Sequence, residues 1–329
     1  KSEKDGRILI IAPEILNKGS LESPDGQTIL AASRDKVYLE ASTDPNLRGL
    51  LVEVNTGGEV TNIGNILTER GNATIVGAAI NQDGIVRATT STLKNGSVRL
   101  LARDSAAVQG IPSSVLKTAV AERTGELTFG RNSVTSVEID QTQNDTATAA
   151  QAQPISDIEM VANRITLERN AVVSAIGGSI DILATEDPVN PLDPGFGKNS
   201  STFTMQPGSK LDVSGAAAEI ALSERFVEVE LRGNELRDNP VNRNGPVRDA
   251  AVVVDARRAS PFAEVSGFIE SVPATTAERL SSGGSISIRS EGSINIAAGA
   301  TVDISGGQIQ VEGGVNRESY LIREGALTP

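Results

Sequence analysis

Five acidic residues stand where glycoside chemistry is easiest to assemble: Asp181, then Glu186 and Asp187, then Asp212 and Asp303. Two carboxyl groups across a cleft can hydrolyse a sugar bond, one as acid and the other as base or nucleophile. Asp181, Asp212 and Asp303 each sit between apolar neighbours, in Ser-Ile-Asp-Ile, Lys-Leu-Asp-Val and Thr-Val-Asp-Ile. In a strand with one buried face that alternation turns the carboxylate outward into solvent, and this is the favoured reading. Little other catalytic apparatus is available, because the 329 residues include no His and no Cys. Imidazole acid–base chemistry, thiolate nucleophiles, disulfides, iron–sulfur clusters and structural zinc all go with them. The chain is read as non-enzymatic, with a carboxylate enzyme acting on polysaccharide as the alternative.

Asp187 with Asp193, and Asp238 with Asp249, supply the hard oxygen ligands that calcium takes. Neither an EF-hand loop nor a tandem Gly-Gly-x-Gly-x-Asp repeat accompanies them. A structural Ca²⁺ is thus the single cofactor left open, and no other is expected. Arg232, Arg237, Arg243, Arg248, Arg257 and Arg258 crowd one stretch, among Glu228, Glu230, Glu235, Asp238, Asp249 and Asp255. Arginine forks match carboxylates and sulfates, so the six form the candidate contact surface for an anion or a glycan. Near-equal numbers of the two signs favour an internally neutralised loop. It is still the place where specific recognition is sought, since irregular loops on a rigid scaffold carry function. The Gly283-Gly284 and Gly306-Gly307 steps lack a following Gly-Lys-Ser/Thr and read as chain corners, not phosphate cradles. Tyr38 and Tyr320 are too scattered to make an aromatic platform for sugars.

Asp and Glu number 42 against 30 Lys and Arg, a net charge of -12, which repels phosphate and excludes a nucleic-acid partner from the reading. No apolar run approaches the roughly 20 residues of a membrane helix, so no membrane span is expected. The absence of Cys suits a chain exported unfolded. The opening Lys1-Ser2-Glu3-Lys4-Asp5 has no signal-peptide pattern and suggests a piece of a longer or processed polypeptide.

The elements that must position these residues are short strands. Gly284-Ser-Ile-Ser-Ile288, Gly292-Ser-Ile-Asn-Ile296, Gly299-Ala-Thr-Val-Asp-Ile304 and Gly307-Gln-Ile-Gln-Val311 are each a glycine followed by period-2 alternation. Their central residues Ile286, Ile294, Val302 and Ile309 recur every seven or eight positions. The same grammar runs through Gly6 to Glu40, Gly58 to Leu100 and Ile165 to Val213. An antiparallel sandwich spaces its strands by about 8–12 residues with hairpin turns between them. Single-glycine corners and repeated motifs in line fit a parallel β-helix better, with three strands in each coil of roughly 20–24 residues.

The expected organisation is β-helix coils over 1–104, a polar and partly flexible excursion over 105–156, coils over 157–225 with a Pro-rich loop at 185–200, a charged excursion over 226–282, and coils over 283–329. Ser114 to Arg123 reads as a short helix. So does Thr275 to Leu280, with an N-cap and an acidic first turn. About ten coils then remain, or roughly 50 Å of rod.

Gly64-Asn-Ile66, Gly71-Asn-Ala-Thr-Ile-Val76, Gly96-Ser-Val-Arg-Leu-Leu-Ala-Arg-Asp104 and Gly299 to Gly307 resemble the repeats of filamentous haemagglutinin-type exoproteins. Val229 to Asp238, continuing to Asp255, is similar to a part of the large members of that group. The resemblance implies a right-handed parallel β-helix (β-solenoid) with irregular loop excursions, secreted through an outer-membrane partner by two-partner secretion and displayed on the bacterial surface. It also implies a structural or adhesive role in a fibre: adhesion, aggregation or biofilm formation, with a surface glycan or protein as partner. The group's secretion-domain motifs are not evident; Asp44-Pro45-Asn46-Leu47 reads as a turn between coils, so the piece corresponds to shaft. A cut rod has unpaired strand edges at its ends and is prone to associate end to end or laterally.

Overall fold

A corner and a short strand with one buried face form the local unit, and its stacking decides the rest. The computed structural model describes residues 1–44, 46–110, 117–188, 201–258, 260–323 and 326–328. They form an all-β protein with two compact units. The first comprises Lys1–Gln143, Pro154–Ala216 and Leu280–Gly307; the second comprises Asn144–Gln153, Ala217–Arg279 and Gln308–Pro329.

In the first unit the chain passes through three parallel sheets in turn, seven times. The first sheet stacks Arg7–Ala12, Gln27–Ala32, Asn72–Gly77, Ser97–Gly110, Asp157–Ala162, Ser179–Ala184 and Ser285–Ser290. Glu14–Asn17, Glu59–Asn62, Ala79–Gln82, Glu126–Phe129, Arg164–Leu167, Thr202–Met205 and Ser293–Ile296 make the second. The third runs Ser20–Glu22, Asn65–Thr68, Ile85–Thr90, Val134–Ile139, Val172–Ala175, Lys210–Asp212 and Thr301–Asp303.

Register turns the alternation of the sequence into columns. Ile15, Val60, Ile80, Leu127, Ile165, Phe203 and Ile294 occupy one position in seven successive strands. The first six are buried, while Ile294 in the last pass is 46% exposed. Three of the corners that open the first-sheet strands explain the glycines. Gln27 N–H donates to the Gly6 carbonyl at 3.1 Å, and Asn72 N–H to that of Gly26 at 3.0 Å. A Cβ on Gly26 would collide with the Gly6 carbonyl, and one on Gly71 with the Gly26 carbonyl, so only glycine lets these corners stack.

Several expected boundaries move. Seven passes form instead of about ten coils, spanning about 30 Å at the usual strand spacing. Val37–Ala41 pairs antiparallel with Leu50–Val54 in a hairpin. Val52 and Val54 pack against Ile29, Val76, Leu101 and Val161 on the outer face of the first sheet. Asn46 and Leu47 therefore belong to this hairpin's connection, not to a turn between passes; Pro45 lies outside the described residues. The 105–156 stretch is not all excursion, since Glu126–Phe129 and Val134–Ile139 take places in the second and third sheets. Nor do residues 117–123, the described part of the stretch expected to be a short helix, form one. Lys117–Thr124 is a strand antiparallel to Ser97–Gly110, where pairing of Ala106 with Ala121 and Ala107 with Val120 overrides local propensity. Residues 111–116, and 189–200 of the Pro-rich loop, lie outside the described residues.

In the second unit Phe226–Glu230 pairs antiparallel with Ala251–Asp255. Ala217–Ala221 pairs in parallel with Gln308–Glu312, so these two segments leave the passes in which the sequence pattern put them. Val229, Leu231, Leu236, Val254 and Val265 form the core. Thr276–Arg279 is helical as expected. Thr275 Oγ1 accepts the Glu278 N–H at 3.3 Å and Glu278 Oε2 accepts the Thr275 N–H at 2.8 Å, a reciprocal capping box. The Thr146–Ala147 segment, expected to be flexible, pairs with Ala274–Thr275, and the Arg279 guanidinium holds the Thr148 carbonyl at 2.9 Å. Among the described residues no helix is long and apolar enough to cross a membrane.

Candidate functional site

The six arginines of the candidate contact surface all lie in the second unit, and carboxylates claim five of them. Arg232 pairs with Glu230, and Arg237 with Asp238 at 3.3 Å and Glu264 at 3.0 Å. Arg257 holds Asp255, while Arg248 and Arg258 reach Asp249 and Glu318 at 3.8 Å each. Arg243 has no ion-pair partner among the described residues. Hydrogen bonds from Arg257 keep Asp255 below the usual carboxylate range, and the bond with Glu230 raises Arg232. These pairs neutralise most of the positive charge, so the arginines do not present one anion-binding face.

Two grooves nevertheless meet in this stretch. One, of about 460 Å³, is lined by Asn234, Arg237, Glu264 and Ser271. The other, of about 420 Å³, is lined by Glu228, Glu230, Arg232 and Asp249. Glu235 and Phe268 line both. The combination of an aromatic ring with paired acids and arginines offers apolar contact and many hydrogen-bonding groups together.

The candidate catalytic acids divide into separate groups. Asp212 and Asp303 are in register on the third sheet, and Lys210 Nζ bridges them at 2.7 and 3.3 Å. Burial alone would raise Asp212, but hydrogen bonds from Lys210 and Ser214 outweigh it and lower its pKa. Glu186 and Asp187 follow the Ser179–Ala184 strand, with the Glu186 N–H donating to Glu291 at 2.9 Å. Asp193 is outside the described residues. Among the described residues no three acidic side chains gather to hold a metal ion.

Asp181 is different. It lies in register with Glu159 on the neighbouring pass, and Asp157 is two residues before Glu159 on the same outer face. Arg99 Nε donates to Glu159 at 2.6 Å and Ser179 Oγ to Asp157 at 2.7 Å. Burial pushes the Asp157 carboxyl up to about 6, and the charges of Glu159 and Asp181 add to the rise. Asp157 and Glu159 were not singled out from the sequence. Setting 157–162 beside 179–184 in register, 22 residues apart, would have brought all three acids together.

An acid whose folded pKa is raised favours folding least when it is ionised. The folded state binds the extra proton between about pH 4 and 6, so stability falls as pH rises through that window. Asp157→Asn is therefore expected to raise stability at pH 7.5 by on the order of 2–3 kcal/mol, and to leave it nearly unchanged at pH 4. Urea unfolding midpoints at the two pH values measure the difference; equal effects at both would refute the assignment.

A further cluster was also missed. Asp25, Arg70 and Asp140 lie in the connections from third-sheet to first-sheet strands, with side chains 2%, 11% and 3% exposed. Arg70 donates to Asp25 through Nε at 2.8 Å and Nη2 at 3.0 Å, and Nη1 donates to Asp140. Lys94 Nζ stands 3.4 Å from Asp25. Hydrogen bonding from Arg70 is the largest cause that brings Asp25 down to about 2. A network with both signs already matched is structural in character. No family model, curated protein or solved structure matches the chain.

Proposed function

We propose that the chain is a β-solenoid, right-handed as its resemblance to filamentous haemagglutinin-type exoproteins implies, serving as a non-enzymatic shaft of a secreted bacterial surface fibre. One observation carries the reading: the same three-strand unit recurs seven times in register, and its inward Ile, Val and Leu residues stack into continuous columns. A repeat of this kind makes length and stiffness from short-range contacts, which suits a scaffold. On this reading the parent chain leaves the cell through an outer-membrane secretion partner. The grooves at Phe268, flanked by Arg232 and Arg237, contact a glycan or protein on a neighbouring cell or host and mediate adhesion or biofilm formation.

The geometry is tested by a disulfide. Thr166 and Thr204 are in-register partners on adjacent second-sheet strands, and the chain has no native Cys to compete. Parallel neighbours lie within the Cα separation that a disulfide bridges. The Thr166→Cys/Thr204→Cys variant is expected to close its bond on mild oxidation and to change mobility in non-reducing electrophoresis. Failure to close would count against the stacked reading. Glycan-array and cell-binding assays test the role, with Arg232→Ala/Arg237→Ala expected to lose binding while the fold is retained.

A second reading, polysaccharide cleavage, draws on the convergence of Asp157, Glu159 and Asp181. Its test is release of reducing ends from polysaccharides. Cleavage by the intact chain that disappears in Asp157→Asn would replace the structural reading with this one.

A further inference from the structure

The connection between the Val37–Ala41 and Leu50–Val54 strands is seated on corners that join third-sheet to first-sheet strands. The Gln27 amide bonds both backbone groups of Leu50 at 2.9 Å each, and Asn95 Nδ2 donates to the Asn46 carbonyl at 2.6 Å. Arg48 Nη2 donates to the carbonyls of Arg70 and Asn95 at 2.5 and 2.9 Å. Residues of the connection and of the corners together line a cavity of about 110 Å³, whose charged groups are Asp5, Arg7, Asp25 and Arg48. One water needs only roughly 10–15 Å³ of such space, so a small polar molecule fits.

The charges of this lining are unequally matched. Asp25 is held by Arg70 at 2.8 Å and Asp5 lies 3.6 Å from Lys94, so both acids already have cations that are not part of the lining. Arg7 and Arg48 have no ion-pair partner among the described residues. A chain of net charge -12 thus holds a local surplus of positive charge. Arg48 is half-buried; burial lowers its pKa, and the charges of Asp25 and Asp5 offset this only in part. Withdrawing a guanidinium from water without a counter-ion is unfavourable, and a bound anion relieves it.

The hydrogen-bonding groups agree with the charge. Arg48 Nε and Nη1 and the Gly49 N–H donate to nothing among the described residues, and the two side-chain nitrogens are not sealed from water. Ser97, 3% exposed, accepts from Asn72 Nδ2 at 2.8 Å, and its own hydrogen has no acceptor. Asn95, also 3% exposed, donates through Nδ2 to the Asn46 and Ile155 carbonyls, which leaves Oδ1 without a donor. Gly49, Asn95 and Ser97 all line the cavity. We propose that it binds a small oxyanion that also carries a hydroxyl, either hydrogenphosphate or the carboxylate end of an acidic sugar. Arg48, Gly49 and Ser97 donate to the oxyanion, and Asn95 Oδ1 accepts from the hydroxyl. The site belongs to the first unit, whereas the grooves at Phe268 belong to the second.

Isothermal titration calorimetry of the intact chain with sodium phosphate, and separately with sodium glucuronate, at constant ionic strength tests this. One-to-one binding of at least one probe is expected, and the tighter of the two tells phosphate from carboxylate. Arg48→Met should weaken it by about tenfold or more, the share of one charge-assisted hydrogen bond. Ser97→Ala should weaken it by a smaller factor, about threefold. Arg232→Ala/Arg237→Ala should leave it unchanged. Circular dichroism checks that each variant folds, and if Arg48→Met does not, Ser97→Ala carries the comparison. Binding of neither probe overturns the proposal. So does binding that the folded Arg48 and Ser97 variants retain in full, or that is lost with Arg232 and Arg237. Failure here leaves the adhesive reading standing, because that reading is tested on the second unit.

Discussion

Arg70→Met is expected to lower folding stability by about 3–5 kcal/mol, the usual cost of removing one partner from a buried ionic network. Asp25 and Asp140 would keep their buried positions without the guanidinium that donates to both. Lys94 remains 3.4 Å from Asp25 but is 38% exposed and shared with Asp5 at 3.6 Å, and Lys4 at 3.7 Å is 73% exposed, so the two lysines compensate only in part. Thr142 still donates to Asp140 through its N–H at 2.8 Å and its hydroxyl at 2.6 Å. Adding Asp25→Asn and Asp140→Asn should recover part of the loss, because the uncompensated charges go too. The wild-type network also has a pH signature. Asp25 titrates at about 2 in the folded chain and near 3.8 otherwise. Its contribution is complete above about pH 4 and disappears as pH falls towards 2, a loss of about 2 kcal/mol. In Arg70→Met this acid-induced loss should shrink. Urea midpoints at pH 7 and pH 3 for the wild type, the single and the triple variant measure all three effects. A single variant as stable as the wild type at pH 7 would show that the network contributes little.

Why that network escaped the sequence pattern is a matter of distance. Arg70 meets partners 45 and 70 residues away, and only the register of the passes brings them together. The paired arginines of the second unit are the opposite case. Arg232 with Glu230, Arg237 with Asp238, Arg248 with Asp249 and Arg257 with Asp255 are separated by one or two positions. Their mixture of signs was enough to suggest neutralisation. Strands were legible for a similar reason: alternation reports a half-buried face, and the glycine before it reports a tight corner. Alternation does not report which strand is the partner. Val37-Tyr-Leu-Glu40 therefore looked like part of a coil although it lies in an antiparallel hairpin, and Gln308–Glu312 looked like the next coil although it pairs with Ala217–Ala221. Glu126–Phe129 was hidden by the polar segment around it, even though Leu127 and Phe129 are fully buried.

One column allows the stacked core to be measured from its middle to its end. Phe203 and Ile294 share a register position on neighbouring passes, with Phe203 fully buried and Ile294 46% exposed. Phe203→Ala should cost about 3–5 kcal/mol, since it removes a buried ring and leaves a void that its neighbours Ile165 and Ile294 above and below can only partly fill. Ile294→Ala deletes fewer atoms from a half-open site and should cost about 1 kcal/mol or less in the monomer. The contrast depends on position in the stack more than on residue type, because Ile165→Ala, one pass further in and fully buried, should fall near the phenylalanine value at about 2–5 kcal/mol. Urea unfolding midpoints of the three variants measure the comparison. An Ile294→Ala as costly as Ile165→Ala would contradict the half-open environment that 46% exposure gives Ile294 at the end of the column.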